Sequence, residues 1–124
     1  MLKNMQDLKN IETKLLESKM KNFLFSINLN EKYVAFDYLT YVLVHLIKNE
    51  NTNFRTYKQA IGLLVDKYGI TYRTIVQGLH KIISMCTSSQ ILSIPEFQSG
   101  KSKTIHRIRI IKTISEDFLL KEFN

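Results

Sequence analysis

The sequence predicts a mainly α-helical fold, a helix-turn-helix bundle of about five helices with a wing-like C-terminal β-hairpin before the last helix. Three observations predict it. As far as residue 85, apolar residues recur at three- and four-residue steps, the periodicity of amphipathic helices. The chain has only four glycines and one proline, so few positions interrupt these helices. Beyond residue 90, apolar and polar residues alternate as they do in strands.

The length of 124 residues is that of a single domain with a hydrophobic core, so we expect residues 1–124 to form one helix-turn-helix domain. The N-terminal part, 1–25, contains the first helix at about 8–25, and Asn28 and Asn30 end it. Its apolar residues lie at helical spacing: Leu8, Ile11, Leu15, Leu16 and Met20.

The core of the domain, residues 31–86, begins with a second helix at about 31–48. This segment is apolar over most of the helix circumference, which predicts the central, buried helix of the bundle. One stripe and the leucines beside it make up this apolar surface: Val34, Tyr38, Val42 and His45, with Leu39, Leu43 and Leu46.

A helix-turn-helix is predicted at 55–85. The third helix covers 55–68, and Gly69 stands where a left-handed C-cap is expected. Thr71 is a good N-cap for the fourth helix, 72–85. Two helices joined by a tight turn that contains glycine are typical of this motif.

The fourth helix has an apolar stripe that we expect to be buried: Ile75, Leu79, Ile82 and Ile83. Glycine inside a helix costs about 1 kcal/mol relative to alanine. Gly78 therefore indicates a close backbone approach, which we assign to the preceding helix.

The C-terminal part is predicted to contain a basic hairpin at 90–112, with a loop at 98–102. Ser115, followed by two acidic residues, is an N-cap signal that opens a last helix at 115–123. The alternation that predicts the strands comes from Leu92, Ile94, Ile108 and Ile110.

The formal net charge of +7 and the isoelectric point near 9.5 favour a polyanionic partner. Between residues 55 and 112 only Asp66 and Glu96 are acidic. The same stretch holds most of the basic residues: Arg55, Lys58, Lys67, Arg73, Lys81, Lys101, Lys103, Arg107, Arg109 and Lys112. Their clustering predicts an electropositive half of the protein and a nucleic-acid partner.

In a helix-turn-helix the second helix lies in the major groove of double-stranded DNA. Arginine can donate two hydrogen bonds to guanine, glutamine can pair with adenine, and valine can contact the thymine methyl group. The candidate base-reading residues are Tyr72, Arg73, Thr74, Val76, Gln77, His80 and Lys81.

Contacts with phosphates position such a protein without reading sequence. The candidates are Arg55, Lys58, Thr71, Lys101, Lys103, Arg107 and Arg109. Four of them lie on the hairpin, which is interpreted either as a wing that grips phosphates or as a two-stranded cover over the core.

No phosphate-binding glycine loop, nucleophile elbow or catalytic carboxylate pair is present in the sequence, so we expect no enzyme activity and no cofactor. The three histidines lack partners at metal-ligand spacing, so no metal site is expected, and His45 is interpreted as a core residue. The single cysteine, Cys86, is interpreted as a passive core thiol in a reducing compartment. With no signal peptide and no apolar run long enough for a membrane span, a bacterial cytoplasmic location is expected, nucleoid-associated when bound to DNA, with no membrane partner.

Residues 27–83 resemble, without a gap, the DNA-binding effector domain of stage zero sporulation protein A, a regulator of endospore formation. The residues that carry the resemblance are Ile27, Leu29, Phe36, Tyr38 and Leu39, then Lys58, Leu64, Lys67, Tyr68 and Thr71, and finally Ile75, Leu79 and Ile83. It extends back to about Ile11 and returns weakly at 113–120. The resemblance implies a transcriptional regulator, and we expect a free-standing effector module without a receiver domain.

The resemblance also shows a difference at the start of the recognition helix. Where the family has Ser-Arg-x-Glu-Arg, this chain has residues 73–77, so Val76 and Gln77 replace two charged residues, and His80 replaces a following arginine. An alternative is therefore a protein-interaction module that keeps the scaffold and modulates another regulator, with Ile70, Tyr72 and Val76 on its interaction face. If the chain binds DNA, we expect it to do so as a homodimer or as tandem copies. Structured RNA is a third candidate partner.

Overall fold

The computed structural model describes residues 13–50, 53–85 and 103–123, and every regular element within these ranges is an α-helix. The helices are α1 (Thr13–Ser26), α2 (Val34–Lys48), α3 (Phe54–Tyr68), α4 (Tyr72–Ser84) and α5 (Lys103–Phe123). The predicted mainly α-helical class is confirmed. None of these helices is long and apolar enough to cross a lipid bilayer.

The first helix ends in a Schellman cap. Asn28 has a left-handed backbone, with φ of 72°, and its N–H donates to the Phe25 carbonyl at 3.0 Å. The Leu29 N–H donates to the Leu24 carbonyl at 3.1 Å, and both leucines are buried. These are the two hydrogen bonds that define the motif. The predicted helix end at the asparagines is therefore confirmed.

The buried face of α1 consists of Leu16, Met20, Phe23 and Leu24. Leu15, predicted to belong to the apolar stripe, is 51% exposed. The other predicted members of the stripe, Leu8 and Ile11, lie outside the described residues. The inward face of α1 is thus formed by Leu16 and by residues of the second half of the helix.

The second helix is the centre of the bundle, as predicted. Ten of its fifteen residues are buried, and it contacts α1, α3, α4 and α5. Thr40 is buried as well. Its hydroxyl is satisfied there, because it donates to the Phe36 carbonyl one turn earlier, at 2.8 Å. Val34 differs from the prediction: it is the first residue of the helix and remains 61% exposed.

The third and fourth helices contact each other across the turn 69–71. Gly69 has φ of 65°, and its N–H donates to the Val65 carbonyl at 2.9 Å, which is the predicted left-handed cap. Thr71 caps α4 with its side chain, which accepts from the Thr74 N–H at 3.1 Å. A further cap at the start of α3 escaped the sequence analysis: the Asn53 side chain accepts from the Thr56 N–H at 2.9 Å.

The predicted hairpin at 90–112 is wrong over the residues that the structure describes. Residues 103–112, expected to form its second strand, are the first half of α5, while 90–102 lie outside the described residues. The last helix, predicted at 115–123, begins twelve residues earlier, at Lys103. Ser115, predicted to cap it, is instead a buried residue within the helix.

The physical reason is the packing of α5. Ile110, Ile111, Ile114 and Phe118 are all buried, and their spacing of one, three and four residues is that of a helix face. Ile108 and Ile110 alternate with arginines over only four residues, and so short a run does not exclude a helix. The helix is selected because it alone brings Ile111 and Ile114 into the same buried surface.

Candidate nucleic-acid interface

The fourth helix has one buried face and one exposed face. Its buried face is the predicted set, Ile75, Leu79, Ile82 and Ile83, each at most 2% exposed. The other face is polar and exposed: Arg73, Thr74, Gln77, His80 and Lys81. These five predicted base-reading residues therefore lie on one solvent-facing side of a helix anchored by its opposite side.

The remaining two base-reading candidates are apolar or aromatic. Tyr72, the first residue of α4, is 40% exposed. Val76 is half-buried and packs partly against the core, so only part of its side chain is available to a partner. Of the seven candidates, Val76 has the least contact surface to offer.

The N-terminus of α4 is closed by two threonines. The Thr71 and Thr74 hydroxyl oxygens lie 2.9 Å apart, in a hydrogen bond, and the first turn contains no acidic residue. An acidic side chain at this end would be favourable for the helix dipole but would repel a phosphate. The exposed Thr71 is thus part of an end that is free of negative side chains.

Two further phosphate candidates lie at the start of α3. Arg55 and Lys58 are exposed, and the Lys58 ammonium lies 5.3 Å from the centre of the Phe54 ring. A cation in this position is attracted by the face of the ring. The contact steadies the lysine side chain at the surface while leaving the charge accessible to solvent.

Three of the four phosphate-contact candidates predicted on the hairpin lie on α5 instead. Arg109 is an exposed residue of α5. Lys103 and Arg107 also belong to that helix, and Lys101 lies outside the described residues. Any contribution of Arg109 to an interface is therefore made from a helix and not from a wing.

Gly78 is a point of close approach, but to a different helix from the one predicted. A Cβ atom at Gly78 would lie 3.3 Å from the Ala35 Cβ and 3.5 Å from the Tyr38 Cε2. Both neighbours belong to α2, not to α3. The absence of a side chain at Gly78 therefore lets α4 pack directly on the central helix, with its exposed face turned away.

The predicted core histidine is not in the core. His45 is half-buried, and its Nε2 lies 3.2 Å from the Gln59 Oε1 and 3.4 Å from the Asn49 Nδ2. The Gln59 contact joins the surface of α2 to that of α3, and Asn49 is the C-cap residue of α2 itself. No group of three potential metal ligands is found in the described ranges, and Cys86 lies outside them.

A polar cleft between α1, α2 and α3 was missed by the sequence analysis. It has a volume of about 180 Å³ and is lined by Glu17, Lys21, Asp37, Thr40, Tyr41, Lys67 and Tyr68. Burial, followed by the charge of Asp37, raises the pKa of the Tyr68 hydroxyl above its usual range. No spacing in the sequence could indicate the cleft, because its residues come from three helices that only the tertiary fold brings together.

The chain was also compared with known proteins. Searches against protein-family models, curated proteins and solved structures found no match.

Proposed function

We propose that this chain is a sequence-specific, duplex-DNA-binding transcriptional regulator that reads bases with the exposed face of α4. The observation that carries the proposal is the contrast between the two faces of that helix. Ile75, Leu79, Ile82 and Ile83 hold it against the bundle, and the opposite face offers hydrogen-bond donors to base edges.

The charge distribution supports a polyanionic partner. Arg73 and Lys81 lie on the exposed face of α4, and no acidic residue occurs between Asp66 and Glu96 in the sequence. Arg55 and Lys58 are exposed on α3, which contacts α4. Bases would be read from α4 and phosphates contacted from α3 and from Thr71, the usual division between specificity and positioning.

The resemblance to the effector domain of stage zero sporulation protein A supports the same proposal. By this resemblance, α4 corresponds to the family's recognition helix. The protein would then act in the bacterial cytoplasm as a DNA-binding module without enzyme activity, similar to the sporulation regulator. Val76, Gln77 and His80 give it a reading surface that differs from the family's. We infer a different DNA target, bound by a homodimer or by tandem copies.

The test is a selection of bound duplexes from a random pool, followed by fluorescence-anisotropy titration of the selected and random sequences. Arg73→Ala should weaken binding to the selected site by about 1–3 kcal/mol and relax the preference at one base position. The matched control is Arg55→Ala, which should weaken binding to all duplexes alike. Equal, weak binding to selected and random duplexes that Arg73→Ala leaves unchanged would refute the proposal.

A protein-interaction module is the second candidate, favoured by the apolar surface around α4. Tyr72 is 40% exposed, and half-buried Ile70 and Val76 pack at the edge of the core beside it. A partner regulator could cover these side chains without contacting a base. The same titration separates the two functions: a steep dependence of affinity on salt indicates phosphate contacts, and no binding to DNA at low salt favours a protein partner.

A further inference from the structure

The charge of α5 changes sign along its length. The first ten positions of the helix carry four basic residues and no acidic one: Lys103, Arg107, Arg109 and Lys112. The remaining eleven carry three acidic residues and one basic one: Glu116, Asp117, Glu122 and Lys121. The two halves of the helix thus carry net charges of opposite sign.

This order of charges is not the one that stabilises a helix. The N-terminal end of a helix carries a partial positive charge and favours acidic side chains, while the C-terminal end favours basic ones. The first turn of α5 contains no acidic residue, and the last turn holds Glu122 beside Lys121. The basic first half is therefore not explained by the stability of the helix on its own.

One ion pair ties the second half of α5 to the bundle. The Glu122 carboxylate lies 3.9 Å from the Lys19 ammonium on α1, so the fold supplies this acidic residue with a cation. Lys112 is exposed, and within the described ranges no carboxylate lies at ion-pairing distance from it. Its side chain is exposed to solvent.

The packing of α5 brings this helix into contact with both α1 and the proposed reading helix. The second half of α5 lies on α1, where the Phe118 and Phe23 rings meet edge to face at 5.6 Å. The helix also contacts α4, and Ile110 and Ile111 of its first half belong to the same buried cluster as the apolar stripe of α4. Arg109 and Lys112 are exposed on that half.

We propose that the first half of α5 is a second phosphate-binding surface, which contacts the backbone of the same duplex that α4 reads. The proposal rests on the proposed function, because it assigns a further contact surface to the same DNA partner. Charge complementarity favours DNA as the partner: the first half of α5 contains no acidic residue, and α5 contacts the reading helix, which also contains none. This surface takes the positioning role that the predicted wing would have had.

The test is the salt dependence of duplex binding, measured by fluorescence anisotropy on the full chain. The test variant is the double substitution Arg109→Gln with Lys112→Gln. The control is Lys14→Gln with Lys121→Gln, which removes the same net charge from exposed positions on α1 and on the second half of α5. Circular dichroism checks that both variants keep the helical content of the parent chain.

If two phosphate contacts are lost, the slope of log affinity against log salt should become shallower by about 1.8. Between roughly 50 mM and 200 mM salt, the test variant should then lose about tenfold less affinity than the parent chain. The control should keep the parent slope. An equal change in both variants, or no change in either, overturns this inference.

The outcome can be told apart from a failure of the proposed function. If the parent chain binds DNA and Arg73→Ala weakens that binding while the Arg109 and Lys112 variant keeps the parent slope, only the second surface is refuted. If the parent chain binds no duplex at low salt, both proposals fail. Binding of the parent chain to vesicles containing phosphatidylserine, lost in the test variant, together with an unchanged DNA slope would assign the surface to a membrane and overturn the inference.

Discussion

The two faces of α4 have opposite chemistry although they belong to the same thirteen residues. One face is a stripe of isoleucine and leucine side chains in the core, and the other consists of exposed polar and basic side chains. Substitutions on the first face should change the free energy of unfolding. Those on the second should change binding and leave unfolding nearly untouched. Measuring both quantities for each variant tests whether the two roles are as separate as the packing indicates.

The largest effect on unfolding is expected for Leu79→Ala. Leu79 is fully buried at the centre of the α4 stripe, and removing a buried leucine side chain leaves a cavity. We expect a loss of about 2–5 kcal/mol in the free energy of unfolding, measured by urea denaturation.

The matched control is the same substitution at Leu63, which is 41% exposed on α3 and should cost well under half as much. The Leu79 variant should still bind the selected duplex at temperatures below its unfolding transition. A loss of binding in a fully folded Leu79 variant would contradict the separation of the two faces.

A smaller effect is expected at Gly78, which lies at the edge of the buried face. A valine there would place its Cβ 3.3 Å from the Ala35 Cβ and 3.5 Å from the Tyr38 Cε2, with two methyl groups still to be accommodated. Overpacking of this kind typically costs about 1–3 kcal/mol. We expect Gly78→Val to lower the thermal unfolding midpoint.

Gly62→Ala is the control for the glycine substitution. A Cβ at Gly62 meets no atom within 4 Å, and the residue lies inside α3. Replacing it should stabilise the protein by about 0.5–1 kcal/mol, because alanine loses less backbone entropy in a helix. If both glycine variants shift the midpoint in the same direction, the close approach of α4 to α2 does not explain Gly78.

The helices that flank the turn were predictable because several local signals agree there. Gly69 and Thr71 are strong caps by themselves, and the four buried aliphatic residues of α4 follow a helical period without exception. For α5 the local signals disagree. The alternation at 107–110 favours a strand, and the stripe from Ile111 to Phe118 favours a helix. Only contacts with α1 and α4, which no local pattern contains, decide between them.

The candidate site was predictable to a similar extent. A helical wheel suffices to place Arg73, Gln77 and Lys81 on the side opposite to Leu79. The sequence did not show that Gly78 approaches α2. A glycine inside a helix indicates a close contact but not which neighbouring helix makes it. The polar cleft beside Tyr68 could not be predicted from the sequence, because the packing of three helices creates it.

The smallest effect is expected at Thr71, which lies where the two faces meet. Its hydroxyl caps α4 by accepting from the Thr74 N–H, and it is also a candidate phosphate contact. Thr71→Ala should lower the free energy of unfolding by about 1 kcal/mol through loss of the cap. Thr71→Ser, which keeps the hydroxyl, should restore most of that stability. If the alanine variant also weakens binding to selected and random duplexes equally, and serine restores both properties, one hydroxyl serves both the fold and the phosphate backbone. A loss of stability without any loss of binding would show that Thr71 only caps α4 and does not contact the phosphate backbone.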